Sequence, residues 1–530
     1  MTDNQSNRRA ITLALMVTFG GFVFGLDAAL ISGTFGYLTS QWSLSPGQVG
    51  WVGGAAGLGV LPALFLTGLF VDWIGRKGAL IIIALLYLLS AIGSAFAPNY
   101  EFLGWARFLG GMAFASLSVS AMYLGEVAPA DKRGMMVSIN QLAIVFGLLA
   151  AFLINFGIQQ WADQPGWPET IGLHVYTWQW MLGIEIPFVV LWLVMLLRIP
   201  ESPRWLILRG QKEKAAAVLE RLLPASEVHA AIAEIEQNIA EETHGEGQRN
   251  IFDQIGLLFT PGIRLAMLIG IILVVVQPTT GINAINTYAP MVFSQAGIGV
   301  DAAFATTVWL GVVSVAGTLA AIMLIDRIGR RTILMVGLVA AALGLSACAL
   351  GFSKARYSLD SESVGALPAE IDRSALAPLI GEQFIDDVAL KSRLKEVLGS
   401  EVFAANEGAL LEAATDLNIA LVLGGVLLFI FAFQFSIGPV MWVILSELFP
   451  TAVRGVAIPV CGLVLSGVNF VIQYFFPIQL ASWGAMSIFA FYAGAVLVGL
   501  ALLGWLLPET KGKSIEQIAA ELGMGKKALA

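Results

Sequence analysis

Twelve stretches of this chain are long and apolar enough to cross a bilayer, and no other feature limits its fold so tightly. A transmembrane helix needs about 20 mostly apolar residues. The runs cover approximately 10–37, 48–71, 79–97, 102–125, 135–157, 178–198, 263–294, 302–325, 332–352, 417–446, 456–478 and 484–507. Backbone in hydrocarbon must close its own hydrogen bonds, so the expectation is an all-α membrane protein with 12 transmembrane helices. Only 12% of the 530 residues are charged, against about 25% in a soluble chain. A soluble enzyme of this size is excluded, because its surface would lack polar cover. The first run is too long for the apolar core of a signal peptide.

The cationic side chains orient the runs. Of 29 Lys and Arg, 22 lie in the N-terminal tail, the connections near 72–77, 131–133, 198–264, 326–331 and 454, and the C-terminal tail. Short basic loops stay cytoplasmic, while long loops translocate regardless of charge. Both termini are therefore expected in the cytoplasm of a multi-pass protein of the cell membrane. A net charge of −8 without a long basic run argues against a nucleic-acid partner. Cys348 and Cys461 lie in apolar stretches and read as packing residues. His174, His229 and His244 fall outside every run, so no histidine relay or zinc site is expected. No nucleophile–base pair is visible. Neither an enzyme nor a bound cofactor or metal is expected.

Two polar segments divide the chain. Residues 199–260 form a linker between bundles at 1–198 and 261–510, and 511–530 is a tail. Within the linker, Lys212 to Glu242 reads as short amphipathic helices with Val218, Leu219, Leu222 and Leu223 on one side. Residues 353–416, between the ninth and tenth runs, carry 6 basic and 12 acidic side chains. They predict an outward-facing, small helical cap, either a solvated insert or a surface for a partner or substrate.

An internal repeat runs through the cytoplasmic loops. GLFVDWIGRK at 68–77 returns as IMLIDRIGRR at 322–331, EVAPADKRG at 126–134 as ELFPTAVRG at 447–455, and PES at 200–202 as PET at 508–510. Three motifs recurring in one order imply two six-helix halves related as parallel repeats, a mark of transporters. Each half offers matched charges: Asp72, Arg76, Glu126, Arg133 and Glu201 in the first, and Asp326, Arg330, Glu447, Arg454 and Glu509 in the second. Interface anchoring accounts for the cations but not for carboxylates at repeated spacings. The alternative is a cytoplasmic gate whose ion pairs hold that side shut and release when it opens.

With these residues in view, the chain resembles the sugar porters of the major facilitator superfamily over nearly its whole length except 353–416. The resemblance is carried by the GRK and GRR turns, Glu126 to Gly134, Asn140-Gln141, PESPR at 200–204, Gly281-Ile282-Asn283, Gly438-Pro439 with Trp442, and PETKG at 508–512. The first run, Gly20 to Asp27, is closest to proton-coupled members such as xylose and glucose symporters. The resemblance implies a major facilitator fold, two six-helix bundles around a central cavity that rock between outward- and inward-open states. It implies a sugar and a proton as partners; a single chain is expected as the working unit.

Ionisable groups inside a span are functional candidates, and here they are Asp27, Arg107 and Glu185. An unpaired Arg costs about 2.5–3.5 kcal/mol at a helix centre, so Arg107 needs a partner. By helix direction all three lie at similar depth in the outer half, Arg107 roughly 8 Å from that end. A guanidinium beside a carboxyl favours its ionised form, and desolvation without that help favours the protonated form. A conformational change that alters this balance loads or releases a proton. The resembled family uses the Asp that matches Asp27 for coupling. The other reading is a static buried pair that orients helices, with Glu185 hydrogen-bonding Arg107.

A sugar site wants amides, which donate and accept, beside an aromatic ring. Gln277, Thr280, Asn283 and Thr287 share a face of the seventh helix, weakened by Pro278 and Gly281 as in a discontinuous helix. Phe24, Gln141 and Trp442 match family sugar-binding positions, and Gln434 is a further candidate. A lone intramembrane Gln is also common interhelical glue. The chain departs from the family at Pro278, Ser314, Leu465-Ser466 and the Trp-Gln-Trp of 178–180. The reading is therefore proton-coupled symport of a sugar, most simply a monosaccharide. A disaccharide or polyol substrate, a uniporter or a transporter-like sensor stand as alternatives.

Overall fold

The computed structural model describes residues 3–127, 133–223, 225–245, 256–260, 263–368 and 371–522. The side chains of 3–8, 10, 69, 133–138, 225–226, 241–245, 451–452 and 515–516 are outside that description. Among the described residues twelve helices have membrane length. They are α1 (Ile11–Gly33), α2 (46–74), α3 (76–95), α4 (Tyr100–Val127), α5 (Ile139–Trp161), α6 (Thr177–Arg198), α7 (Arg264–Thr287), α8 (Val300–Ile328), α9 (Arg330–Ser353), α10 (Ile419–Leu448), α11 (451–483) and α12 (485–506). Three of the breaks are single glycines at positive φ, Gly75 (86°) between α2 and α3, Gly329 (110°) between α8 and α9 and Gly484 (77°) between α11 and α12. A side chain there would be strained, so the chain turns sharply without a loop.

Helix starts follow local chemistry. Ser45 and Gln48 form a capping box before Pro46, and the Asn99 side chain accepts from Phe102 N–H ahead of α4. The first run ends earlier than its hydropathy suggested. After Gly33 the chain turns and Phe35–Trp42 forms a separate short helix. The run 263–294 likewise divides, into Arg264–Thr279, Ile282–Thr287 and Ala289–Gln295. Gly281, at φ 85°, makes the first break, while Pro278 stays in the helical turn before it.

The halves meet along α2 against α11 and α5 against α8. One buried core runs across the seam, from Leu26, Phe35 and Phe152 to Tyr288, Phe293 and Phe476. The linker helices Pro203–Leu208, Lys212–Leu219 and Ala225–Gly245 lie at one end, where Leu206, Ile207, Val218 and Leu222 bury against one another beside Leu13. That end is called the linker end below.

At the opposite, cap end, residues 353–416 fold on their own core of Tyr357, Leu390, Leu394, Phe403, Leu410 and Leu411. The cap is not purely helical, as its sequence suggested. Strand β1 (Arg356–Ser358) pairs antiparallel with both β2 (Gln383–Phe384) and β3 (Thr415–Asp416). β1 leaves α9 and β3 returns to α10, so pairing them satisfies backbone groups where the chain enters and leaves the cap.

Candidate functional site

Close packing of α1 on α5 sets the site. A Cβ at Gly25 would lie 1.9 Å from Ile144 O, and one at Gly147 2.0 Å from Phe22 O. Only paired glycines allow this approach, and it brings Phe24 and Asp27 to the same wall as Gln141. From α4, Arg107 Nη1 donates to Asp27 Oδ1 at 3.2 Å, with the two residues 3% and 7% exposed. Glu185, 4% exposed, opens the last helical segment of α6 within electrostatic reach of both. Its Oε1 and Arg107 Nε have no hydrogen-bond partner among the described residues. The three charges expected from depth alone therefore gather in one place. The buried Tyr87 of α3 lies within electrostatic range of Asp27 and Glu185, and its hydroxyl has no hydrogen-bond partner among the described residues. Nothing in its apolar run marked it.

The pair opens onto a central cavity of about 260 Å³. Phe24, Gln141, Gln277, Asn283, Gln434 and Trp442 line it, together with Asp27 and Arg107. Phe24 packs edge-on against Phe114 at 4.6 Å, and Trp442 is 42% exposed. Gln277 Oε1 has no partner among the described residues. Thr280 is elsewhere. Its hydroxyl donates to Gln277 O at 2.8 Å and accepts from Ile282 N–H, fully buried, so it braces the break in α7 instead of facing the cavity. The expected face holds for Gln277, Asn283 and Thr287, which line the cavity; at Thr280 the hydroxyl is taken up by the backbone at the helix end.

Two amides on α11 went unread in the sequence. Asn283 Nδ2 donates to Asn469 Oδ1 at 2.8 Å, and Thr287 Oγ1 to Gln473 Oε1 at 3.0 Å. Asn469 and Gln473 are four residues apart on one helical face and both line the cavity. That spacing was the available signal. They stand one and two turns beyond Leu465-Ser466, where the family pattern had failed.

At the linker end the repeated motifs build two matching clusters. Arg76 pairs with Glu126 at 2.8 Å and Asp72 at 3.5 Å, and Ser202 Oγ donates to Glu126. Glu201 Oε1 accepts from the Arg76 and Lys77 amides, both at 3.0 Å. In the second half Arg330 pairs with Asp326 at 3.1 Å and Glu447 at 3.2 Å, and Glu509 Oε1 accepts from Arg330 N–H at 3.0 Å. Arg454 donates to Phe449 O. The Arg133 side chain lies outside the described residues. Every described ion pair here closes within its own half. At the cap end the halves do touch: Gln159 Nε2 donates to Asp301 Oδ1 at 3.2 Å, and the Phe35 and Tyr288 rings pack at 4.9 Å.

These clusters make two predictions. The Arg76–Glu126 side chains are 8% and 13% exposed, against 16% and 25% for Arg330–Glu447. Breaking a buried pair leaves an uncompensated charge and costs about 3–5 kcal/mol, and exposure reduces that cost. Arg76→Ala should therefore lower the thermal midpoint in detergent more than Arg330→Ala. Equal shifts would show that burial does not set these energies. Burial pushes the Glu509 carboxyl up, but the Lys511, Arg331, Thr332 and Arg330 amides outweigh it and hold the carboxyl below its ordinary value. Such a group stabilises above the unfolded value of about 4.3, and the contribution is lost as pH falls through the folded value. Wild-type protein should lose stability more steeply than Glu509→Gln on acidification below about pH 5; parallel melting curves would refute this.

A family model described as "Sugar (and other) transporter" matches residues 13–367 and 401–522. The chain belongs to this family. The transporter is 30% identical over 98% of its length to the arabinose-proton symporter of Bacillus subtilis (strain 168), of which 96% is covered. It is 29% identical over 98% of its length to the D-xylose-proton symporter of Escherichia coli (strain K12), with 97% of that protein covered. In fold it matches the xylose transporter of E. coli in its inward-open conformation, with a TM-score of 0.72, 26% identity, and coverage of 97% of the transporter and 99% of that chain. It therefore has the membrane-spanning major facilitator fold.

Proposed function

We propose that this transporter carries a sugar together with a proton across the cell membrane by alternating access. The linker end and both termini are cytoplasmic, and the cap faces outward. The observation that carries the reading is the continuity of the Asp27–Arg107 pair with the amide-lined cavity. Substrate and proton sites that share a wall can each sense the other's occupancy. Gln141, Gln277, Asn283, Gln434, Asn469 and Gln473 supply donors and acceptors for hydroxyls, and Trp442 and Phe24 an apolar face. Glu185 and Tyr87 hold the environment of the pair. Contacts across the seam at the cap end, and ion pairs kept within each half at the linker end, correspond to an inward-facing state. In the outward-facing state the linker-end clusters would meet across the seam and latch it. The relatives named arabinose- and xylose-proton symporters support the coupling. The proposed working unit is a single chain.

The deciding experiment is uptake of a panel of labelled pentoses, hexoses, disaccharides and polyols into proteoliposomes, with and without a pH gradient. At least one should accumulate against its gradient only when protons flow inward. Uptake of the best substrate that merely equilibrates, whatever the pH gradient, would make the protein a uniporter.

A further inference from the structure

A second cavity, of about 400 Å³, lies between the cap and the ends of both halves. Its volume is within the usual range for small-molecule sites, about 300–1,000 Å³. Three bodies wall it: Thr39, Leu44 and Pro46 among others from the first half, Gln295, Pro477 and Leu480 from the second, and the cap helices Asp387–Leu398 and Ser400–Ala414. The cap is fastened to the second half. Gln295 Nε2 donates to Glu407 Oε1 at 3.2 Å, and a Cβ at Gly484 would lie 2.5 Å from Asp387 Oδ1. The cap helix Ser400–Ala414 also packs on Phe35–Trp42 of the first half.

The lining has the chemistry of a hydroxyl-binding site. Gln295 is 3% exposed, and its Oε1 has no hydrogen-bond partner among the described residues; neither has the Thr39 hydroxyl. Ser43, Ser45, Ser392 and Ser400 line the cavity with them, and a hydroxyl both donates and accepts. Charges of both signs stand on its walls. Lys391 is paired with Asp387 at 2.9 Å, Lys395 sits 5.0 Å over the Phe403 ring, and Glu401 and Glu407 place carboxylates on the same wall. An anion would meet the carboxylates and a cation the ammoniums. A neutral molecule rich in hydroxyls meets donors and acceptors of both kinds.

We infer that the cap cavity is a second binding site, separate from the central one, for a neutral polyhydroxylated small molecule. Its walls come from both halves and complete the site only while the cap ends are together. A ligand there favours that state by its differential affinity and so slows the return to the opposite state. The cap is then a regulatory element that reads polyol or sugar on its own side of the membrane. The binding claim stands apart from the transport reading, although the slowing rests on it.

The test uses the full chain in lipid nanodiscs, with sucrose and myo-inositol as probes and saturation-transfer NMR as readout. The background is Gln277→Ala/Asn283→Ala, which disables the central cavity. Binding should persist in that background and weaken at least about tenfold when Ser392→Trp fills the cap cavity. Ser392 is exposed on its helix, so the substitution does not threaten folding. Gln295→Ala should weaken binding in the same direction. Absence of binding in the background, or binding indifferent to both cap-cavity substitutions, overturns the site. Either outcome leaves uptake by the wild type, and thus the transport reading, untouched.

Discussion

Asp27→Asn should abolish uphill uptake while leaving exchange of labelled for unlabelled sugar intact. The substitution keeps the shape and the hydrogen-bonding capacity opposite Arg107, 3.2 Å away, and removes the carboxyl to which the proposed function assigns proton coupling. Net symport needs the empty carrier to return after releasing its proton, and exchange does not. One charge moved across 100 mV is worth about 2.3 kcal/mol, nearly fiftyfold in accumulation. The readout is the steady-state ratio of internal to external sugar in proteoliposomes with an imposed potential. It should fall from that order to unity, with counterflow rates preserved. Accumulation that survives would remove Asp27 from the coupling role and pass it to Glu185, the other buried carboxylate of the cluster. Loss of both accumulation and counterflow would instead mark the pair as a structural strut.

The second large effect is expected in the central cavity. Gln277→Ala, Asn283→Ala and Gln141→Ala should each weaken substrate binding roughly 5–150-fold, because losing one partner of a desolvated hydroxyl costs about 1–3 kcal/mol. Asn283 carries a further expectation. Its amide holds Asn469 at 2.8 Å, so Asn469→Ala should weaken binding too, both directly and by freeing Asn283. The two effects should be less than additive, as for residues in one network. Thr280→Val is the internal control. It faces the break in α7 and should change stability rather than affinity. Calorimetry on purified variants, with the substrate found in the uptake panel, measures all of these. Unchanged affinity in Gln141, Gln277 and Asn283 variants would place the sugar elsewhere.

Much of this site was legible before any coordinates. Charges inside a bilayer are so costly that Asp27, Arg107 and Glu185 announced themselves, and helix direction put them at one depth. Tyr87 did not, because a tyrosine in an apolar run is unremarkable until its neighbours are known. The same applies to Asn469 and Gln473. Their spacing was visible, but α11 departs from the family pattern at Leu465-Ser466, and only packing against α7 shows that the polar contacts continue toward the cap end. Thr280 erred in the other direction. Periodicity puts it beside Gln277, Asn283 and Thr287, which do line the cavity, but at the helix end before Gly281 its hydroxyl bonds to the freed backbone groups instead.

Hydropathy, the bias of cations and the threefold recurrence of motifs were enough, by themselves, to determine twelve spans in two related halves. Those are one-dimensional properties, imposed by the length of apolar chain that fills a bilayer and by its charge at either face. The tertiary structure alone decided which partners the repeated charges take. Arg76 with Glu126 and Arg330 with Glu447 close inside their halves, although the sequence equally allowed pairs across the seam. The choice depends on how two rigid bundles are tilted, a long-range property that no local spacing records. The same tilt brings the cap against both halves and encloses the cavity beneath it, in a segment whose sequence showed only polarity and charge.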